Sequence, residues 1–163
     1  DFDLLMVARK WDPFSGAPTS GQYDTAYRDK DAGRWAAFYG VPLKPVVWER
    51  YDWLRFNLAA TEAAKETEGC AHFARSVYAL VMGDRDAPDT EAVISAAARD
   101  AGLDPRRLIE ASKSSDTKAR LHHAVTDAVA LGVFGVPSFI VDGEVFWGND
   151  RLALLRWHLT GKR

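Results

Sequence analysis

The chain has 163 residues, of which 47% are hydrophobic, and its formal net charge at pH 7 is −2. This length suits one ordinary domain, or a small core that carries an insertion. Its 21 basic residues are scattered among 23 acidic ones, so no basic run favours a nucleic acid or a membrane surface as partner. No apolar stretch approaches the roughly 20 residues that a membrane span needs.

The first quarter of the chain predicts a strand, a loop and a helix. Residues 2–8 form an apolar run of strand length, and residues 11–21 are rich in Pro, Gly and Ser, which favours a loop. The helix covers residues 23–39. Gly40 ends it and Pro42 follows, which is the usual order at a helix C-terminus.

Five helices are predicted next. The first covers residues 51–66 and ends near Gly69, and the second covers residues 70–82. The third runs from Asp89 to Gly102, the fourth starts at Asp104-Pro105, and the fifth covers residues 115–131. Asp before the first helical residue and Pro within the first turn are typical helix starts. Cys70, the only cysteine, excludes an intrachain disulfide and a Cys-x-x-Cys centre within these residues and fits a reducing, cytoplasmic setting. We expect Cys70 to be a small, buried helix residue.

The last part of the chain predicts a hairpin and a final helix. Strands at residues 138–141 and 144–147 are joined by Asp142-Gly143, a strong signal for a tight hairpin turn. Pro137 cannot donate to a sheet ladder, so it must lie at a strand start or edge. It also pushes the preceding residue out of the helical region. We therefore expect the N–H and C=O of Val136 to be presented outside the protein.

The final helix is predicted from about residue 149 to residue 159. Asn149 and Asp150 are residue types that cap helices well. The start of a helix is also suited to holding a small charged ligand. A capping role and a ligand-binding role for these two residues are compatible with each other.

One segment resembles a known family. Gly-Val-Phe-Gly-Val-Pro-Ser-Phe at 132–139 and Phe-Trp-Gly-Asn-Asp-Arg-Leu at 146–152 resemble the C-terminal signature of the 2-hydroxychromene-2-carboxylate isomerases. These enzymes are relatives of kappa-class glutathione transferases and, more distantly, of DsbA-like oxidoreductases. A looser likeness includes Trp-Ala-Ala-Phe-Tyr-Gly-Val-Pro-Leu at 35–43. The resemblance implies an α/β fold, in which residues 1–48 and 132–163 form a thioredoxin-like core and residues 49–131 an inserted all-helical domain.

The resemblance also implies a glutathione site. In the family, the residue before a cis-proline pairs with the cysteinyl part of glutathione, which gives this role to Val136 and a cis bond to Pro137. Asp150 would bind the α-amino group of the γ-glutamyl unit, while Asn149 and nearby N–H groups hold its carboxylate. Two polar contacts that the family's first loop supplies have no match here, since Ala17 follows Ser-Gly and the region of the expected Lys reads Thr-Ser-Gly-Gln.

Trp11 and Phe14 are candidates for an aromatic substrate pocket, although core packing is the more frequent role for such residues. The family's activating Ser, or Cys in the redox branch, lies in a Phe-x-Ser-Pro-Tyr-like segment after the first strand. Residues 8–11 read Ala-Arg-Lys-Trp and offer no match. We therefore align residues 2–8 with the family's second strand, expect the first strand and catalytic helix to be absent from this chain, and assign no catalytic residue.

No metal site is predicted. The adjacent His122 and His123 face different directions on their helix, so they cannot form a two-histidine face. His72 and His158 stand alone.

Three hypotheses on function follow. The first is a glutathione-dependent isomerase of aromatic-degradation intermediates, or a kappa-type glutathione transferase, that acts on a small aromatic or unsaturated carbonyl compound with glutathione as cofactor. The second is a catalytically degenerate thioredoxin-like binding module. The third is a DsbA-like thiol oxidoreductase, if a Cys lies upstream of residue 1. Because a thin sheet with an open edge is a liability, we expect a homodimer, which also fits the family.

Overall fold

The structure is a computed structural model that describes residues 25–161. The predicted strand at 2–8 and the loop at 11–21 lie outside the described residues. The described chain falls into two compact units, one within residues 25–117 and the other from residue 118 onward. The predicted division into a core at 1–48 and 132–163 and an insertion at 49–131 rests on family topology rather than on compactness, and it stays a prediction.

The first unit is helical. Its elements are α1 at Thr25–Tyr39, a 3₁₀ turn at Trp48–Arg50, α2 at Trp53–Ala63, α3 at Thr67–Val81, α4 at Thr90–Asp100 and α5 at Pro105–Ala111. No helix within residues 25–161 is both long enough and apolar enough to cross a membrane.

Aspartate side chains cap three of these helices. Asp52 accepts a hydrogen bond from the N–H of Arg55 at 3.3 Å, and Asp89 accepts one from the N–H of Ala92 at 2.8 Å. Asp104 accepts from Arg106 at 2.9 Å, with Pro105 in the first helical position. Each cap contributes about 1 kcal/mol to helix stability. The predicted starts at Asp89 and Asp104-Pro105 are confirmed, whereas α2 begins after Asp52 rather than at residue 51.

The core of the helical unit lies where α3 packs against α2 and α4, and α4 against α5. Phe73 of α3, Ile94 of α4 and Leu108 of α5 are at most 1% exposed. Burial of each such side chain contributes about 1.5–3 kcal/mol. Cys70 is partly buried and packs against this core, with its Sγ 3.9 Å from the carbonyl oxygen of Ala60.

Gly69 does not end a helix, so that prediction is wrong. It lies in the first turn of α3, and a Cβ at this position would lie 2.9 Å from Cδ2 of Leu103. The glycine therefore permits a close approach of the helix to a buried leucine. The preceding helix ends earlier, at Ala63, where Glu66 N–H bonds to the Ala63 carbonyl at 3.0 Å.

A polar cluster joins α3, the following loop and α4. Arg85 pairs with Asp100, and both bond to the hydroxyl of the buried Ser76. The hydrogen bonds from Arg85 and then from Ser76 hold the pKa of Asp100 below its ordinary value of 3.8. The charged form of this carboxylate is thus favoured by folding.

The second unit contains a hairpin and two helices. Helix α6 runs from Ser115 to Ala130, strands β1 and β2 cover Ser138–Val141 and Glu144–Trp147, and a 3₁₀ turn at Asn149–Arg151 leads into α7 at Leu152–Leu159. The strands are antiparallel, with Ser138 opposite Trp147 and Val141 opposite Glu144. Asp142 and Gly143 both have positive φ, of 51° and 81°, which is the two-residue turn that the Asp-Gly signal predicts.

Trp147 packs over the backbone of Gly135, just before β1. A Cβ at Gly135 would lie 2.5 Å from Nε1 of Trp147 and 3.0 Å from its Cε2. Since real Cβ atoms do not approach this closely, only glycine lets the indole lie here. Gly135 thereby joins the end of β2 to the segment that precedes Pro137.

We expect Asp100→Asn to lower the free energy of unfolding at neutral pH by less than about 1 kcal/mol, because both Asp100 and Arg85 are partly exposed to screening solvent. A carboxyl with a lowered folded pKa stabilises the protein above its unfolded pKa, and this contribution is lost as the pH falls through the folded value. Urea titrations near pH 7 and near pH 3 measure the difference. Asp29→Asn, an exposed change on α1, is the control. A difference that is as large near pH 3 as near pH 7 would contradict the prediction.

We expect Gly135→Ala to destabilise the protein by about 1–3 kcal/mol, because the methyl group must displace the Trp147 indole or the backbone. Gly33→Ala is the matched control. Gly33 lies within α1 with no atom within 4 Å of an added Cβ, so alanine there should stabilise the helix by about 0.5–1 kcal/mol. Chemical denaturation measures both. A Gly135→Ala variant as stable as the parent would show that the packing is not tight.

Candidate ligand-binding site

The junction between the hairpin and the final helix is organised by Pro137. Its carbonyl accepts the N–H of Gly148 at 2.9 Å, so the two residues extend the ladder by one pair. A hydrogen-bonded antiparallel pair normally exchanges two bonds, but proline has no N–H to return. The Gly148 carbonyl instead accepts the N–H of Arg151 at 3.2 Å, which begins the 3₁₀ turn. The missing donor thus lets the strand end where a helix can start.

Val136 lies just before β1, next to Pro137. The Val136–Pro137 peptide is cis, as the family resemblance implies. Among residues 25–161, no hydrogen bond engages the N–H or the C=O of Val136. The neighbouring turn is fixed, since the Ser138 hydroxyl donates to the Gly135 carbonyl at 2.6 Å. An extended ligand could therefore add its own backbone groups to this edge.

Asn149 and Asp150 lie in the 3₁₀ turn, but neither caps it. The cap position belongs to Gly148, at φ 109°, and no side chain provides a capping hydrogen bond. Oδ2 of Asp150 instead lies 2.9 Å from Nη1 of Arg151, in an ion pair whose side chains are each 52% exposed. The ligand-binding interpretation of Asp150 therefore does not compete with a capping role.

The structure brings Val136, Pro137, Asn149 and Asp150 to one end of the hairpin, because the Pro137–Gly148 bond joins their two segments. The other two candidates, Trp11 and Phe14, lie outside the described residues. The sequence reasoning missed Gly135 and Trp147. The strand pairing places Trp147 opposite Ser138. It does not indicate that the indole of Trp147 packs over the backbone of Gly135.

In the described part of the chain, no group of three or more His, Cys, Asp or Glu side chains could hold a metal ion. His158 is the only histidine with an acidic neighbour among the described ion pairs, with its Nε2 3.6 Å from Oδ2 of Asp142. The groups that the hairpin end could offer to a polar ligand are the backbone N–H and C=O of Val136 and the carboxylate of Asp150.

Comparisons with known proteins identify the family and the fold of the chain. Residues 11–160 match the DsbA-like thioredoxin domain model. The chain is 37% identical over 130 residues to a 2-hydroxychromene-2-carboxylate isomerase of Sphingobium xenophagum, and 31% identical over 129 residues to one of Pseudomonas putida. Each alignment covers 79% of this chain but only 65% and 62% of the relative, so the chain spans less than two thirds of their length.

A solved structure of a 2-hydroxychromene-2-carboxylate isomerase superposes with a TM-score of 0.79 at 26% identity, covering 98% of this chain and 77% of that one. The predicted fold, a thioredoxin-like sheet with a helical insertion, is confirmed. The chain therefore belongs to the family of DsbA-like thioredoxin domains.

Proposed function

We propose that this chain provides the glutathione-binding face of a glutathione-dependent isomerase that acts on a small aromatic or unsaturated carbonyl compound. The observation that carries the proposal is the backbone of Val136, just before β1, whose N–H and C=O have no hydrogen-bond partner within residues 25–161. The likeness to relatives named 2-hydroxychromene-2-carboxylate isomerase supports the reaction class.

The described residues suit two parts of glutathione, its central cysteinyl unit and its γ-glutamyl end. The N–H and C=O of Val136 match the donor and acceptor of a cysteinyl peptide unit, as in strand addition. The carboxylate of Asp150 suits the α-ammonium of the γ-glutamyl unit. Backbone N–H groups at the start of the 3₁₀ turn and of α7 suit its carboxylate, with Asn149 beside them.

Bound glutathione would supply a thiolate that adds to an unsaturated carbonyl compound, allows bond rotation and leaves. The chain's own residues would orient it. Val136 would fix the cysteinyl unit through backbone groups that do not titrate, and Asp150 would fix the direction of the tripeptide. A kappa-type glutathione transferase would use the same two contacts.

A catalytically degenerate binding module is the second candidate. Such a module would bind glutathione without turning over an unsaturated carbonyl substrate. Measurement of glutathione binding and of isomerisation on the same preparation therefore separates the two. A DsbA-like oxidoreductase would additionally need a Cys upstream of residue 1.

A homodimer and a cytoplasmic setting belong to the same proposal. Within residues 25–161, β1 pairs with β2 alone, and strand pairing with a second copy would be one way to cover an open sheet edge. A reducing compartment would keep glutathione as its thiol and Cys70 free. Light scattering during gel filtration measures the oligomeric state.

We expect Asp150→Ala to weaken glutathione binding by about tenfold or more, because a charge-assisted hydrogen bond to the ligand's ammonium group is lost. Isothermal titration calorimetry with glutathione measures the change. Asp142→Ala is the control, since Asp142 is an exposed carboxylate of the same unit and its side chain lies in the hairpin turn.

Equal affinity of Asp150→Ala and the parent would refute the ammonium contact. No binding of glutathione to the parent at millimolar concentration would refute the proposed function as a whole. Equal losses in Asp150→Ala and Asp142→Ala would indicate a general effect of charge rather than a contact.

A further inference from the structure

Two exposed aromatic side chains lie beside the proposed glutathione contact. The rings of Phe134 and Trp147 are 5.0 Å apart between centroids and inclined at 60°. Phe134 is 58% exposed and Trp147 is 40% exposed. Large aromatic rings are usually buried, so an exposed pair next to a candidate site favours a role in binding.

The backbone holds this pair at the site. Phe134 precedes Gly135, and the Trp147 indole packs directly over Gly135. The next residue is Val136, whose N–H and C=O are unpaired in the described part of the chain. The aromatic surface and the free backbone groups are therefore adjacent, and both are placed by the same glycine.

Trp147 also offers a polar group. Within residues 25–161, its indole N–H has no hydrogen-bond partner, although it lies against the backbone of Gly135. An indole N–H is a donor only, so it suits a carboxylate or carbonyl oxygen. The pair thus combines a flat apolar face with one donor.

We propose that Phe134 and Trp147 form the subsite for the second substrate, a planar aromatic carboxylate or an aromatic compound with a carbonyl group. The aromatic ring of the ligand stacks on Phe134, and an oxygen of the ligand accepts the indole N–H of Trp147. The assignment of this subsite to an isomerase rests on the proposed function, because the bound ring would lie beside glutathione only if glutathione binds at Val136.

The subsite differs from the pocket expected at Trp11 and Phe14 because it uses only residues of the hairpin end. Small-molecule sites commonly combine apolar walls with a few placed polar groups, as Phe134 and the Trp147 N–H do here. Aromatic pairs add binding beyond the area that they bury, so planar ligands should be preferred over saturated ones of similar size.

Two variants and two probes test the subsite with the 163-residue chain. Coumarin-3-carboxylate is the planar probe, cyclohexanecarboxylate is the saturated one, and isothermal titration calorimetry gives each Kd. We expect Phe134→Leu to weaken binding of the planar probe by about threefold to tenfold and to leave the saturated probe unchanged. Trp147→Phe keeps a ring and removes the donor, so it should weaken both probes, by about tenfold.

Trp157→Phe is the matched control, because Trp157 is 44% exposed on α7 in the same unit. Glutathione affinity is measured on every variant. It should be unchanged in Phe134→Leu, which also shows that this variant is folded. Retained glutathione binding in Trp147→Phe shows the same for that variant.

The outcomes separate the two proposals. If the parent binds glutathione and neither variant alters the affinity for coumarin-3-carboxylate, the subsite is overturned and the proposed function still stands. No glutathione binding, with planar-probe binding that both variants weaken, would overturn the proposed function and support the aromatic subsite. No binding of the planar probe to the parent, or an equal loss in Trp157→Phe, would also overturn the subsite.

Discussion

The absence of an N–H on Pro137 is the constraint on which the candidate site depends. Because Pro137 accepts from Gly148 but cannot donate in return, the Gly148 carbonyl is released to start the turn at Asn149–Arg151. On the other side of the proline, the backbone of Val136 finds no partner among the described residues. The missing donor of Pro137 therefore accompanies both the end of the strand pairing and the start of the 3₁₀ turn.

The described parts of the two units differ in the side chains that they bury. The helical unit buries large side chains such as Phe73 and Ile94 and has three aspartate caps. From residue 118 onward, the buried hydrophobic side chains in the described chain are Val133, Phe146 and Leu155. In this unit the Pro137–Gly148 hydrogen bond and the packing of Trp147 over Gly135 join the two segments of the candidate site.

Local signals made much of the fold and half of the site predictable. The Asp142-Gly143 turn, both strands and Pro137 at the strand start depend on the backbone preferences of a few neighbouring residues, which the sequence displays directly. Gly69 was misinterpreted because its role is a close approach to Leu103, far along the chain. The packing of Trp147 over Gly135 could not be predicted for the same reason. Periodicity gives the face of a strand but not the group that covers it.

We propose that Val136 presents its backbone N–H to glutathione, and amide hydrogen exchange followed by NMR tests this contact most directly. We expect the Val136 amide to exchange quickly in the free protein. Saturating glutathione should then slow it, and shift its resonance together with those of residues 148–151. A Val136 amide that is already protected in the free protein, or that glutathione leaves unchanged while it binds elsewhere, would contradict the account.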